Sequence, residues 1–171
     1  MDPNPPASAY CGGNAILDRL SPHEREELLP HLSVYLEEKG SVLRARDGPI
    51  DAVHFPIDAV YSVVVELSQG HTYEVEVIGR GGVVGAEIVI GAEIAARTVL
   101  CQAGGRVAQL PRERFIEGLA ENPTLLVAVH ESLRRQWFDS QQTVTCNFVH
   151  TVVQRAAPPL PLRSLPTPRR R

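Results

Sequence analysis

Residues 62–85 read SVVVELSQGHTYEVEVIGRGGVVG, and this stretch decides the fold. Two β-branched runs, SVVVEL and TYEVEVIG, flank a turn signal at Gln69-Gly70, the pattern of an antiparallel hairpin. A glycine-rich segment, GRGGVVGAEIVIG, follows at 79–91, with glycines at 79, 81, 82, 85 and 91. Glycine accepts positive φ and close approach to the backbone, so the segment suits either a phosphate cradle or a run of tight turns. The apolar VVG and IVIG around the glycines favour packing over a wet polar pocket, and the turn reading leads.

The same grammar extends outward from 34 to 110. SVYLEEKGSVL, AVHFPIDAVYSVVVEL, RTVLCQA and GRVAQLP are rich in β-branched residues and are separated by EKG, RDGP, SQGH, GRGG and AGG. Short strands so closely spaced predict a small antiparallel β-roll, or jelly roll, rather than an alternating α/β fold. Helices flank it on both sides, which makes the class α+β. A helical reading starts near Asn14. In SPHEREELLPHL, Ser21 is an N-cap, Pro22 takes the first helical position and Glu24 completes a capping box. Pro30 ends that helix or begins another turn.

Helix returns after Leu110. PRERFIEGLAENP closes before Pro123, and residues 124–157 then run without Gly or Pro. Leu126, Val129, Leu133, Trp137, Ser140, Val144 and Phe148 step by three or four, the spacing of a coiled-coil seam. Two readings fit: a helix packed on its own domain, or a dimer helix. Length favours the second, since ~30 helical residues span about 45 Å, more than a small roll covers. The organisation expected is a flexible leader at 1–13, the roll with its flanking helices at 14–123, a dimerisation helix at 124–157 and a disordered Pro/Arg-rich tail at 158–171.

Composition limits the function classes. A hydrophobic share of 43% supports a real core. The N-terminus has neither the basic nor the apolar region of a signal peptide, and Cys11, Cys101 and Cys146 are odd in number and scattered. Both features predict a cytoplasmic protein with no membrane attachment. Four of the 17 Lys and Arg fall in residues 156–171, leaving 13 against 20 acids, a balance of −7 for the body. That body lacks the basic balance of a nucleic-acid-binding surface.

The order of elements, and residues 29–85 in particular, resemble the effector domain of the Crp/Fnr family of bacterial transcription regulators, built on a cyclic-nucleotide-binding roll. The G..I..V.FP..G segment carries Ala59 where glycine is usual, and LPRERFIEGLAENPTLL is similar to the junction between roll and dimer helix. The likeness covers roughly residues 14–157. It implies a non-enzymatic homodimer in which a small effector inside the roll repositions the dimer helices, and these aim a winged helix at DNA. After residue 157 the chain instead reads PPLPLRSLPTPRRR, where no helix-turn-helix pattern fits, so the expectation is a regulator cut before its DNA-reading domain.

In relatives that bind cyclic nucleotides, the resemblance implies, turn amides and an arginine hold the cyclic phosphate and a glutamate after the turn glycine takes the ribose. Mapped from Gly85 without gaps, the glutamate position is Ala86, with Glu87 one later. The arginine and hydroxyl positions fall on Ala95 and Ala96, with Arg97 and Thr98 two later. A two-residue offset keeps strand parity, so Arg97 can still face inward. Gly85, Glu87, Arg97 and Thr98 are therefore the ligand candidates, and an unknown effector or none fits them better than a cyclic nucleotide, which stays open as the weaker match. No cofactor is required.

Two alternatives remain open. A cupin-like metal-binding enzyme would share the jelly roll but needs a His-x-His pair, whereas only His71 stands near Glu74 and Glu76. Those two glutamates, alternating on one strand, read as a solvated face. His54, His130 and His150 read as surface or satisfied histidines. A stand-alone partner that pairs with full-length regulators through the long helix is the other alternative.

Overall fold

The computed structural model describes residues 12–66 and 72–149, with side chains as far as Gln141. The first eleven residues, the Gln69-Gly70 turn, His71, His150, the end of the 124–157 segment and the Pro/Arg tail lie outside the described residues.

Among the described residues, seven strands form two antiparallel sheets. β1 (Ser33–Glu37), β7 (Gly105–Pro111) and β3 (Ala52–Pro56) make one, in the order β1-β7-β3. β2 (Val42–Arg44), β6 (Thr98–Ala103), β4 (Val60–Glu66) and β5 (Thr72–Ile78) make the other, in the order β2-β6-β4-β5. The antiparallel roll with short helices ahead of it is the fold that the strand pattern predicts. β4 and β5 pair antiparallel as the opening stretch requires, with a register shift between Val63 and Val64.

Two apolar cores hold the domain. Tyr61, Val63, Ile78, Val99 and Val107 meet inside the roll. Phe55, Leu110, Phe115, Leu125 and Val129 form a larger cluster between the three-stranded sheet and the helices. Phe55 and Phe115 meet edge to face, ring centres 6.3 Å apart. Each such side chain, fully buried, contributes about 1.5–3 kcal/mol.

α1 (Pro22–Leu28) starts as its sequence dictates. The Glu24 amide donates to Ser21 Oγ (3.3 Å), and the Ser21 amide donates to Glu24 Oε2 (2.8 Å). The other carboxylate oxygen of Glu24 accepts from the Thr124 amide (3.2 Å), so one side chain serves the first turns of two helices. Pro30 sits in a 3₁₀ turn, Leu29–His31, that closes α1.

α2 (Arg112–Glu121) leads into α3 (Pro123–Val149), whose 27 residues lie partly against β5 and the 3₁₀ turn Leu17–Arg19. Part of the seam expected on α3 turns toward the domain itself. Val129 is fully buried in the domain's own core, Leu133 packs against that core, and Leu126 is half-buried. Leu125, Ala128 and Val129 fall on the stripe facing the domain, because a 3.6-residue turn aligns them with the apolar sheet below. Trp137 and the neighbouring Phe138 are 66% and 61% exposed. The side chains of Val144 and Phe148 lie outside the described residues. No helix among the described residues is long and apolar enough to cross a membrane.

Candidate functional site

The glycine-rich segment is bound to the roll at several points. Val84 and His54 exchange backbone hydrogen bonds of 2.8 and 2.9 Å, extending the free edge of β3 into the turn. Asn14, fully buried, donates from Nδ2 to the carbonyls of Pro56 (2.9 Å) and Gly82 (3.1 Å), and its Oδ1 accepts from the Ile16 amide (3.0 Å). One amide side chain thus joins the chain's first turn, the end of β3 and the glycine segment. Gly85 follows with φ of 90° and begins a 3₁₀ turn, Ala86–Ile90. A β-carbon at Gly85 would stand 2.9 Å from the Ala52 carbonyl oxygen and 2.9 Å from both terminal nitrogens of Arg44. Arg44 is buried and donates to that same carbonyl (2.7 Å), so its guanidinium is packed beneath the turn. Burial pulls its pKa down, while Glu87 and Asp51 pull it back up.

Beside this turn lies a cavity of about 350 Å³ between the four-stranded sheet and α3. Its wall is mostly apolar, with Val63, Ile78, Val84 and Val99 from the roll and Leu133 and Trp137 from α3. Among the described residues, three charged ones reach it: Glu76, Glu87 and Arg97. Volumes of roughly 300–1,000 Å³, apolar with a few convergent polar groups, are typical of small-molecule sites.

Glu76 is the residue that sequence reasoning placed on a solvated face, and the structure reverses this. On β5, Glu76 and Ile78 are buried opposite Val63 and Tyr61, while Glu74 is partly buried and Tyr73 and Val77 are about half exposed, at 47% and 52%. Ser62 Oγ donates to Glu74, and Glu76 stands opposite Val63. The Glu76 Oε1 atom is buried with no hydrogen-bond partner, and Oε2 lies 3.8 Å from Arg97 Nη1, an ion pair but not a hydrogen bond. Burial pushes the Glu76 carboxyl up to about 7, against the pull of Arg97 and with further upward pushes from Glu87 and Asp139. Only its inward parity on the strand could have marked it, and the flanking valines masked that signal.

The candidate ligand residues separate. Glu87 and Arg97 line the cavity, and Gly85 lies between two lining residues, Val84 and Ala86. Thr98 turns elsewhere, its Oγ1 accepting from the Arg46 amide at 3.1 Å. Ala86 and Ala95 are buried in the helix-side core. Sequence reasoning also missed α3 as a wall of the site. Gln136 Nε2 donates to the Val83 carbonyl (3.0 Å) and Arg135 Nη2 to that of Gly81 (3.3 Å), so α3 is hydrogen-bonded directly to the glycine segment.

His54, expected at the surface or satisfied, is buried with Nδ1 unpartnered. Burial, helped by nearby Arg44, lowers its pKa to about 3, so it is neutral near pH 7. Among the described residues, no three His, Cys, Asp or Glu side chains are grouped to hold a metal ion.

No protein-family model matches the chain, and no curated protein matches it in sequence. Its fold is nonetheless shared with solved structures. A cyclic nucleotide-binding domain from Methylobacillus flagellatus superposes with a TM-score of 0.70 at 14% identity, over 87% of this chain and 89% of that one. The c-di-GMP-responsive global regulator CLP of Xanthomonas campestris gives 0.66 at 17%, over 79% and 68%. The regulatory subunit of a cAMP-independent protein kinase A from Trypanosoma brucei gives 0.63 at 18%, over 80% and 52%. At such identities the likeness establishes a cyclic-nucleotide-binding-like roll.

Proposed function

We propose that this chain is the effector-sensing and dimerisation part of a Crp/Fnr-type transcription regulator, with the cavity between the four-stranded sheet and α3 as its effector site. The observation that carries this reading is the double role of α3. Leu133, Gln136, Trp137 and Ser140 line the cavity, while Arg135 and Gln136 hold the glycine segment. An effector in the cavity therefore bears on α3 through packing and through the turn at once. Such a helix, with Trp137 and Phe138 exposed, is suited to pass the change to a second copy and to a DNA-reading domain beyond it. Proteins of this fold need not answer to cAMP: the Xanthomonas regulator is c-di-GMP-responsive and the trypanosome subunit is cAMP-independent.

The test is calorimetric titration of the chain with 3′,5′-cyclic AMP, benzoate, benzamide and benzamidine, paired with hydrogen exchange. The expected result is binding by at least one probe, with slowed exchange at residues 79–84 and 133–140. Binding that leaves both segments unchanged, or no binding across the panel, overturns the reading.

A further inference from the structure

Building on that effector site, we infer that the cavity selects an apolar organic cation, an amine or amidine, over a cyclic phosphate. Three observations converge. First, Glu76 lines the cavity, is buried to 7% side-chain exposure, and its Oε1 has no hydrogen-bond partner, so an unpaired buried acceptor stands beside the cavity. A buried acceptor left unsatisfied is costly, and a donor on a ligand removes that cost. Arg97 does not fill the role, because at 3.8 Å it is beyond hydrogen-bond reach of Oε2. Second, the charges around the cavity are mainly acidic. Glu76 and Glu87 line it, Asp139 on α3 acts on Glu76, and Arg97 is the lone cation among the lining residues. A phosphate entering here would face Glu87 and, as pH rises through about 7, a charged Glu76 as well, and like charges repel. Third, the rest of the wall is apolar, and Trp137 offers a ring face of the kind that attracts organic cations.

The same geometry sets a pH signature. The groups acting on Glu76 are Arg97 ahead of β6, Glu87 from the 3₁₀ turn and Asp139 from α3, while β4 opposes it with Val63. A bound cation favours the carboxylate, so binding releases a proton and cation affinity rises with pH through about 7. An anion favours the neutral carboxyl, and its affinity falls over the same range.

Benzamidine, benzamide and benzoate are near-isosteres that differ in charge, and they separate these cases. Calorimetry gives their affinities at about pH 6 and 8, on either side of the Glu76 transition. Fluorescence of Trp137, the chain's one tryptophan, places the ligand in the cavity. Benzamidine is expected to bind at least about tenfold more tightly than benzoate or cyclic AMP, the scale of one charge-assisted hydrogen bond. Its affinity should rise with pH. Glu76→Gln should weaken benzamidine about tenfold and flatten the pH dependence, with thermal melting confirming that the variant folds. Arg97→Gln, at a half-exposed position, should strengthen benzamidine by removing a competing cation.

Tighter binding of benzoate or cyclic AMP overturns the cation preference and leaves the effector site standing. Benzamidine binding that Glu76→Gln does not alter also overturns it. Silence from all four probes overturns both readings.

Discussion

Two residues of the site carry consequences that a single substitution exposes. Gly85 has φ of 90° and no room for a β-carbon between the Ala52 carbonyl and Arg44. Gly85→Ala must strain the backbone and also displace a backbone oxygen, not merely a flexible side chain. We expect a loss of about 2–4 kcal/mol in urea unfolding, larger than an exposed Gly→Ala change produces. Glu76 acts through its proton. Its folded-state pKa, about 7, is raised above the ordinary value, so its protonated form is favoured in the fold. The stability it contributes is present below about pH 4.5 and is lost as pH rises through 7. Glu76→Gln lacks this loss and should be more stable than the parent at pH 8 by about 1–2 kcal/mol, discounted for solvent screening. At pH 4.5 the two should unfold at nearly the same urea concentration.

At the scale of elements, the helix starts follow local rules while the faces follow packing. The capping box at Ser21 forms as SPHE dictates, since every contact lies within four residues. Glu24 extends its reach to Thr124, which no local rule anticipates. Ser21→Ala should cost about 1 kcal/mol by thermal denaturation, and circular dichroism should show the loss at the first helix without collapse of the roll. α3 shows the opposite case. Its heptad-like spacing fits two faces about equally, and the sheet beneath selects the one containing Val129. β5 is similar. Its valines and glutamates alternate as a solvated strand would, yet Glu76 turns inward, where its face of the strand borders a cavity.

For the whole molecule, the two cores and the cavity leave α3 with an outward face bearing Val127 at 50% and Phe138 at 61% exposure. If that face pairs two copies, Phe138→Asp should convert a dimer to a monomer in sedimentation velocity while leaving the melting temperature within a few degrees, since the side chain is exposed. A parent chain that sediments as a monomer at the same concentration would reject the dimer. The pH profile is also a property of the assembled domain. His54 has its pKa lowered from 6.5 to about 3, so its contribution to stability is present above 6.5 and is lost as pH falls toward 3. Glu76 tilts the profile the other way toward neutral pH. Urea unfolding from pH 4 to 8 should therefore give a broad maximum, and His54→Phe should flatten its acid side.

What the amino-acid sequence determined by itself is the part written in short-range terms. The capping box at Ser21 and Glu24, the strand pair around Gln69-Gly70 and the turn glycine at Gly85 each depend on a few neighbouring residues, and backbone sterics and local hydrogen bonds suffice to specify them. Arg97, which sequence reasoning aimed inward by strand parity, lines the cavity from just ahead of β6. The tertiary structure alone decided which charges meet. Glu76, Glu87 and Arg97 come from three separate elements, Arg44 and Asn14 reach the glycine segment from 41 and 68 residues away, and α3 closes the cavity from the far end of the chain. Burial and electrostatic coupling depend on distances through space, and those are set only when the sheets and helices pack.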